Sequence, residues 1–137
     1  MWWIYALLSA LFAALTAVFA KTGIKNINTD LAVAIRAVVI LFFAWAIAFF
    51  RGGVTSIGLL TKSNVAFLVL SGITTGLSWI FYFRALQLGK VSEVASVDKL
   101  SLALTIIFSV IFLGEVVSFK TAIGASCIIA GAIIMIA

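Results

Sequence analysis

The chain has 137 residues, of which 66% are hydrophobic and only 9% are charged, whereas soluble domains are usually about 45–50% apolar and about 25% charged. Because the apolar residues extend along the whole length, the composition predicts an integral membrane protein and excludes a soluble domain with a single anchor. The net charge of +5 comes without a basic stripe, and there is no histidine and only one cysteine, Cys127, so we expect no nucleic acid partner, no metal site, no cofactor and no intrachain disulfide.

Five apolar stretches follow one another, each close to the roughly 20 helical residues that cross the hydrocarbon core of a bilayer. Polar turns separate them, and in the first turn, "KNINTD", Thr29 and Asp30 occupy good N-cap positions for the second helix. The predicted helices are residues 2–24, 31–50, 65–88, 91–113 and 119–137. We therefore expect an all-α protein with a single transmembrane domain, residues 1–137, that crosses the cell membrane several times.

The fourth predicted helix carries an acid and a base, Asp98 and Lys99, next to a long apolar run. If this helix began only at Leu100, about fourteen residues would precede Glu115, and they would span about 21 Å. That length is too short for a hydrocarbon core of about 30 Å. A start near Val91 gives about 23 residues and the required length. Asp98 and Lys99 are therefore predicted to lie inside the helix, about two turns from one end.

The charges within the predicted helices gather at one end of the bundle. They are Arg36 in the second helix, Arg84 in the third, and Glu93, Asp98 and Lys99 in the first turns of the fourth. Ionisable groups inside a membrane are expensive, so they usually face the bundle interior or a wet cavity and pair with one another. Two interpretations stay open: a buried structural pair of Asp98 with Arg36 or Arg84, while Lys99 reaches the headgroups, or a set of groups that lines a solute pathway.

Polar side chains also recur at helical spacing. On the third helix they are Ser71, Thr75, Ser78 and Tyr82, with Trp79 beside them, and on the fourth they are Asp98, Ser101, Thr105 and Ser109. Small and hydroxyl residues can simply allow close helix packing, but Tyr82 is too large and Asp98 is charged, which favours a pathway. Four glycines are predicted to pack against other helices, namely Gly72, Gly76, Gly124 and Gly131.

Several short motifs resemble a known family. The third helix ends in "FRALQLG", the fourth contains "VDKLS" and ends in "FLGE", and the last helix contains glycines. Together with "IRAVVILFF" in the second helix, this series resembles an EamA domain of the drug/metabolite transporter superfamily, in its short single-domain form, over nearly the whole chain. Members of that form often have proline before "VDKLS", where this chain has Ser96.

The resemblance implies a transporter of small organic metabolites that works by alternating access. Full-length members carry two five-helix units in one chain, and the first, third and fourth helices of each unit surround a central solute site. This chain then corresponds to one half of a ten-helix inverted-repeat transporter, with Arg36 as an orienting or pairing charge. The candidate pathway residues are Ser78, Trp79, Tyr82, Asp98, Ser101 and Thr105.

Other functions compete with this interpretation. A flippase for lipid-linked sugars and an accessory subunit that pairs with another protein both stay open. A small multidrug exporter is disfavoured, because such exporters need an acidic residue in the first helix and "WWIYALLSALFAALTAVF" has none. An enzyme is disfavoured as well, because no pair of carboxylates has an evident nucleophile partner.

The number of helices predicts an antiparallel homodimer in the membrane. Two five-helix units in one chain are inverted automatically, whereas two separate copies must insert in opposite orientations. Opposite insertion requires a nearly neutral charge bias, and four basic residues at one side against three at the other meet this requirement. The first group is Lys21, Lys25, Arg84 and Lys90, and the second is Arg51, Lys62 and Lys120. A parallel dimer and a pair with a different protein are the alternatives.

Overall fold

The computed structural model describes all 137 residues as helices joined by short connections. The helices are α1 (Trp2–Gly23), α2 (Thr29–Phe50), a 3₁₀ helix (Gly53–Leu59), α3 (Lys62–Leu88), α4 (Val91–Asp98), α5 (Ser101–Leu113) and α6 (Phe119–Ile136). Counting α4 and α5 as one stretch, Val91–Leu113, five helices are long and apolar enough to cross a membrane. The predicted all-α fold class with five transmembrane helices is thus confirmed.

The chain divides into two compact units. The terminal unit consists of Met1–Phe19 and Leu88–Ala137, and the central unit consists of Ala20–Gln87. Few apolar side chains are buried, whereas most of the large ones are exposed, as expected of helices whose surroundings are lipid rather than water. The buried apolar residues are Ala17, Ile24, Val33, Phe83, Leu86 and Ala132. The single-domain organisation stays a prediction.

The N-terminus of α2 is capped by Asn28, so the predicted cap at Thr29 or Asp30 is wrong by one or two positions. The Asn28 side-chain oxygen accepts hydrogen bonds from the backbone N–H groups of Asp30 and Leu31, at 2.8 and 3.2 Å. Asn28 has extended backbone angles, as an N-cap residue requires. Thr29 is instead buried, with 3% exposed. Asp30 lies in the first turn, where a carboxylate interacts favourably with the positive end of the helix dipole.

Replacing Asn28 with alanine is expected to destabilise the protein by about 1 kcal/mol, because two N–H groups at the start of α2 lose their acceptor. The measurement is the midpoint of thermal unfolding of the purified protein in detergent. Asn64→Ala is the matched control, since Asn64 lies in the first turn of α3, where Thr61 supplies the capping oxygen. Equal midpoints for the Asn28 and Asn64 variants would contradict the assignment of this cap.

The connection between α2 and α3 begins at Gly52, whose φ of 74° favours glycine, and continues as the 3₁₀ helix. This helix packs beside the last turns of α2 and forms a shallow apolar groove with it. The groove is lined by Ala44, Trp45, Ala48, Gly53, Val54 and Ile57. Trp45 therefore belongs to a surface at the C-terminus of α2.

The fourth span is interrupted at Lys99 and Leu100, between α4 and α5. Backbone N–H groups around this point donate to the carbonyl three residues earlier instead of four, at 2.9–3.1 Å. These donors belong to Lys99, Leu100, Leu102 and Ala103. The span therefore has the predicted bounds, 91 and 113, but it contains a 3₁₀ turn, although the chain has no proline.

Candidate functional site

An arginine stacked on two aromatic rings lies within the central unit. The Arg36 side chain of α2 places its guanidinium carbon 4.3 Å from the Trp79 ring centroid and 5.3 Å from the Phe83 ring centroid. Both distances lie within the roughly 6 Å limit of a cation–π interaction. Trp79 and Phe83 are one turn apart on α3, so their rings project from the same helix face. Phe83 is buried with 3% exposed, whereas Arg36 and Trp79 are half-buried.

The contacts with the rings still leave N–H donors at the edge of the planar guanidinium for other partners. A guanidinium carries five N–H donors along that edge and accepts no hydrogen bonds. The one carboxylate of the central unit belongs to Asp30, six residues before Arg36 on the same helix. Asp30 therefore lies about 9 Å along the axis from Arg36 and on a different helix face. No carboxylate of the central unit is placed to neutralise Arg36.

The net charge of the chain is concentrated in the central unit. This unit contains six of the nine basic side chains and only Asp30 of the four acidic ones, so its net charge is +5. The terminal unit contains three basic and three acidic side chains and is neutral. The basic residues of the central unit are Lys21, Lys25, Arg36, Arg51, Lys62 and Arg84. The positive charge of Arg36 thus belongs to a unit that is itself positive overall.

A basic cavity lies where the α1–α2 turn meets the end of α3. It has a volume of about 350 Å³ and is lined by Lys21, Ile24, Lys25, Asn26 and Gln87. The Gln87 amide donates to the carbonyl oxygens of Ile24 and Ile27, at 3.3 and 2.9 Å, and the Lys21 ammonium donates to the carbonyl oxygen of Leu86. These bonds fix the turn onto α3.

The cavity and the stacked arginine follow one face of α3. Trp79, Phe83 and Gln87 are spaced four residues apart, so they lie on the same side of the helix. Phe83 is about 6 Å and Trp79 about 12 Å along the axis from Gln87. Sequence reasoning missed Phe83, Gln87 and Lys21 as parts of this region. Two aromatic residues four apart, facing an isolated arginine of the previous helix, were the available signal for Phe83.

The other predicted residues of the central unit lie on α3. Ser78 is exposed and Tyr82 is half-buried, one position before Phe83. Arg84 is exposed near the C-terminal end of α3. The Thr75 hydroxyl of the same stripe donates to the Ser71 carbonyl, 2.8 Å away, so its proton is used within the helix. Of the predicted residues, the structure brings Arg36 and Trp79 together, and this contact was not predicted.

The predicted residues of the terminal unit lie around the interruption of the fourth span. The Asp98 carboxylate is 3.7 Å from the Lys99 ammonium, and these side chains are 43% and 61% exposed. Glu93 pairs with Lys90 at 3.1 Å. On α5, the Thr105 hydroxyl donates to the Ser101 carbonyl at 2.8 Å. The pairing of Asp98 with Arg36 or Arg84 stays a prediction.

The four predicted packing glycines have open space next to them. A Cβ atom added to any of them would have no heavy atom within 4 Å. These glycines are Gly72, Gly76, Gly124 and Gly131. Their packing role stays a prediction.

Comparison with known proteins extends over the whole chain. The model of the EamA-like transporter family matches residues 1–137. A protein from Sinorhizobium sp. named "Uncharacterized transporter in cobO 3'region" is 48% identical over 134 residues, which cover 98% of this chain and 95% of that protein. No solved structure matches the chain. Both similarities point to transport rather than catalysis, and the protein is a membrane protein that belongs to the EamA-like transporter family.

Proposed function

We propose that the protein transports a small organic metabolite across the cell membrane by alternating access, as a homodimer of two copies in opposite orientations. The observation that carries the proposal is the contact of Arg36 with Trp79 and Phe83 inside two spans of a transporter-family chain. A charged group inside a membrane is expensive and is retained there mainly for function. Its contacts with two aromatic rings restrict its movement, as a binding group requires.

The proposed solute pathway combines residues from α3 and from the fourth span. The aromatic side chains Trp79 and Tyr82 would contact the apolar part of the metabolite, and the hydroxyl and carboxylate groups would contact its polar part. The pathway residues are Ser78, Trp79, Tyr82, Asp98, Ser101 and Thr105. Because Thr105 already donates its proton to Ser101, it offers a hydrogen-bond acceptor to the solute.

Three features support the homodimer. The chain supplies five spans, which is half of a ten-helix inverted repeat. The glycines Gly72, Gly76, Gly124 and Gly131 face open space, so small residues suited to close helix contact are present at the surface. The distribution of basic residues between the two sides is almost even, which permits insertion in both orientations.

The orientation is tested with single cysteines in a Cys127→Ser background. Lys25→Cys lies in the α1–α2 turn, and Arg51→Cys, at the C-terminus of α2, lies at the other end of the same span. With dual topology, a membrane-impermeant maleimide should label about half of the molecules of each variant in sealed vesicles, and all of them after permeabilisation.

A fixed orientation gives a different pattern. One of the two variants would then be labelled completely in sealed vesicles, and the other only after permeabilisation. That pattern would exclude the antiparallel homodimer. It would leave the parallel dimer and the pair with a different protein as the remaining assemblies.

A further inference from the structure

We propose that Arg36 is an anion-binding centre, so that the transported solute carries a carboxylate or phosphate group. The N–H groups of the guanidinium bind this anionic group, while the rings of Trp79 and Phe83 contact the guanidinium. The inference names the substrate class of the proposed transport site and therefore rests on the proposed function.

The geometry of Arg36 suits a planar, bidentate ligand. Contacts with two rings, at 4.3 and 5.3 Å from the guanidinium carbon to the ring centroids, restrict the positions that the guanidinium can take. Parallel N–H groups match the two oxygens of a carboxylate or two oxygens of a phosphate. Charge-assisted hydrogen bonds of this kind are about twice as strong as neutral ones. The aromatic rings also exclude water from the faces, which strengthens the remaining electrostatic interaction.

The positive charge of the central unit favours a solute with a negative charge. Its net charge is +5, and its single acid, Asp30, lies on a different face of α2 from Arg36. A cationic solute would meet like charge at Arg36, whereas a neutral solute would leave the guanidinium uncompensated within the span. An anion removes both penalties, because it supplies a countercharge that the central unit itself does not place at Arg36.

The basic cavity supplies an approach for the same solute. Lys21, Lys25, Asn26 and Gln87 surround it at the end of α3, two helical turns from the Trp79 ring. Positive charge at the mouth of a cleft raises the local concentration of anions. The face of α3 that carries Gln87, Phe83 and Trp79 thus places the basic cavity and Arg36 on the same side of the helix.

The anionic group can belong to a soluble metabolite or to a lipid headgroup, and the test separates these sources. Trp2, Trp3 and Trp45 are replaced by phenylalanine, so that Trp79 is the single fluorescent tryptophan. The purified protein is placed in nanodiscs of zwitterionic phosphatidylcholine and titrated with inorganic phosphate, with benzoate and with uncharged benzamide at constant ionic strength. A second preparation contains phosphatidylglycerol and receives no soluble anion.

We expect a saturable change of Trp79 fluorescence with phosphate or benzoate and none with benzamide. Arg36→Gln should raise the Kd by about tenfold or more. Arg36→Lys should raise the Kd less, because lysine keeps the positive charge but lacks the paired N–H groups of the guanidinium. Arg51→Gln, a matched change outside the site, should leave the Kd unchanged. A response to phosphatidylglycerol alone that is lost in Arg36→Gln assigns the anion to a lipid headgroup.

Two results of the titration would overturn the proposal. One is the absence of any response of Trp79 to the soluble anions and to phosphatidylglycerol. The other is an equal response in the parent protein and in both Arg36 variants. Transport of a neutral or cationic solute by reconstituted protein would leave the proposed function intact while removing the anion assignment. Anion binding without any transport would remove the function alone.

Discussion

Replacing Trp79 with alanine is expected to reduce transport by about tenfold, more than it reduces expression. The Trp79 ring lies 4.3 Å from the Arg36 guanidinium and is the nearer of its two aromatic contacts. A cation–π contact away from water is worth about 2 kcal/mol, which corresponds to more than tenfold in an equilibrium constant. Trp79→Phe should retain part of the activity, because it keeps a ring at this position.

The measurement is uptake into reconstituted vesicles, with a solute found by a binding screen on the purified protein. Trp45→Ala is the matched control, since Trp45 is 55% exposed and lines the groove beside the 3₁₀ helix. Tyr82→Ala, one turn along α3 from the proposed hydroxyl residue Ser78, should also lower uptake. Unchanged uptake by both the Trp79 and the Tyr82 variants would remove these two residues from the pathway.

Asp98→Asn is expected to weaken both folding and transport. An unpaired charge inside a membrane costs about 2.5–3.5 kcal/mol on insertion scales, and removing the carboxylate leaves its cation without a partner. The lower midpoint of thermal unfolding in detergent reports the loss of stability. Glu115→Gln is the control, because Glu115 is an exposed carboxylate between two spans.

A double-mutant cycle identifies the partner of Asp98. Asp98→Asn is combined in turn with Arg36→Gln, Arg84→Gln and Lys99→Gln, and the unfolding free energies are compared with the sums for the single variants. Groups in direct contact show coupling of about 0.5–3 kcal/mol, whereas distant groups are additive. Additivity with both arginines would refute the predicted pair, and coupling with Lys99 alone would leave the neighbouring ion pair at 3.7 Å as the relevant one.

The transmembrane helices were predictable because their length is set by the membrane. An apolar run of about 20 residues has few alternatives in a chain with so little charge, and the argument for a start near Val91 rested on length alone. The structure begins α4 at Val91 and ends α5 at Leu113. The family was predictable from the motifs "FRALQLG", "VDKLS" and "FLGE". An apolar helix can span a membrane without the charged and small residues of these motifs, so their presence is distinctive.

The details of the site depend on geometry that periodicity does not contain. Hydroxyl spacing drew attention to Ser78 and Tyr82, but Phe83 has no polar atom and looked like an ordinary lipid-facing residue. Its contact with Arg36 depends on where α2 and α3 lie relative to each other in space, which brings the Arg36 side chain to the ring. The cap of α2 was misplaced because Asn28, Thr29 and Asp30 are all good cap residues, and only the backbone angles distinguish them.

The 3₁₀ turn in the fourth span has a consequence for the motion of α5. Proline lacks an N–H group, so a proline interruption is permanent, but here every N–H group at the turn is present and can return to the carbonyl four residues earlier. A 3₁₀ residue advances about 120° around the axis and an α-helical residue about 100°, so a switch at two residues rotates the rest of the helix by about 40°. Straightening this turn would thus rotate α5 about its axis and change the positions of Ser101 and Thr105 relative to Asp98.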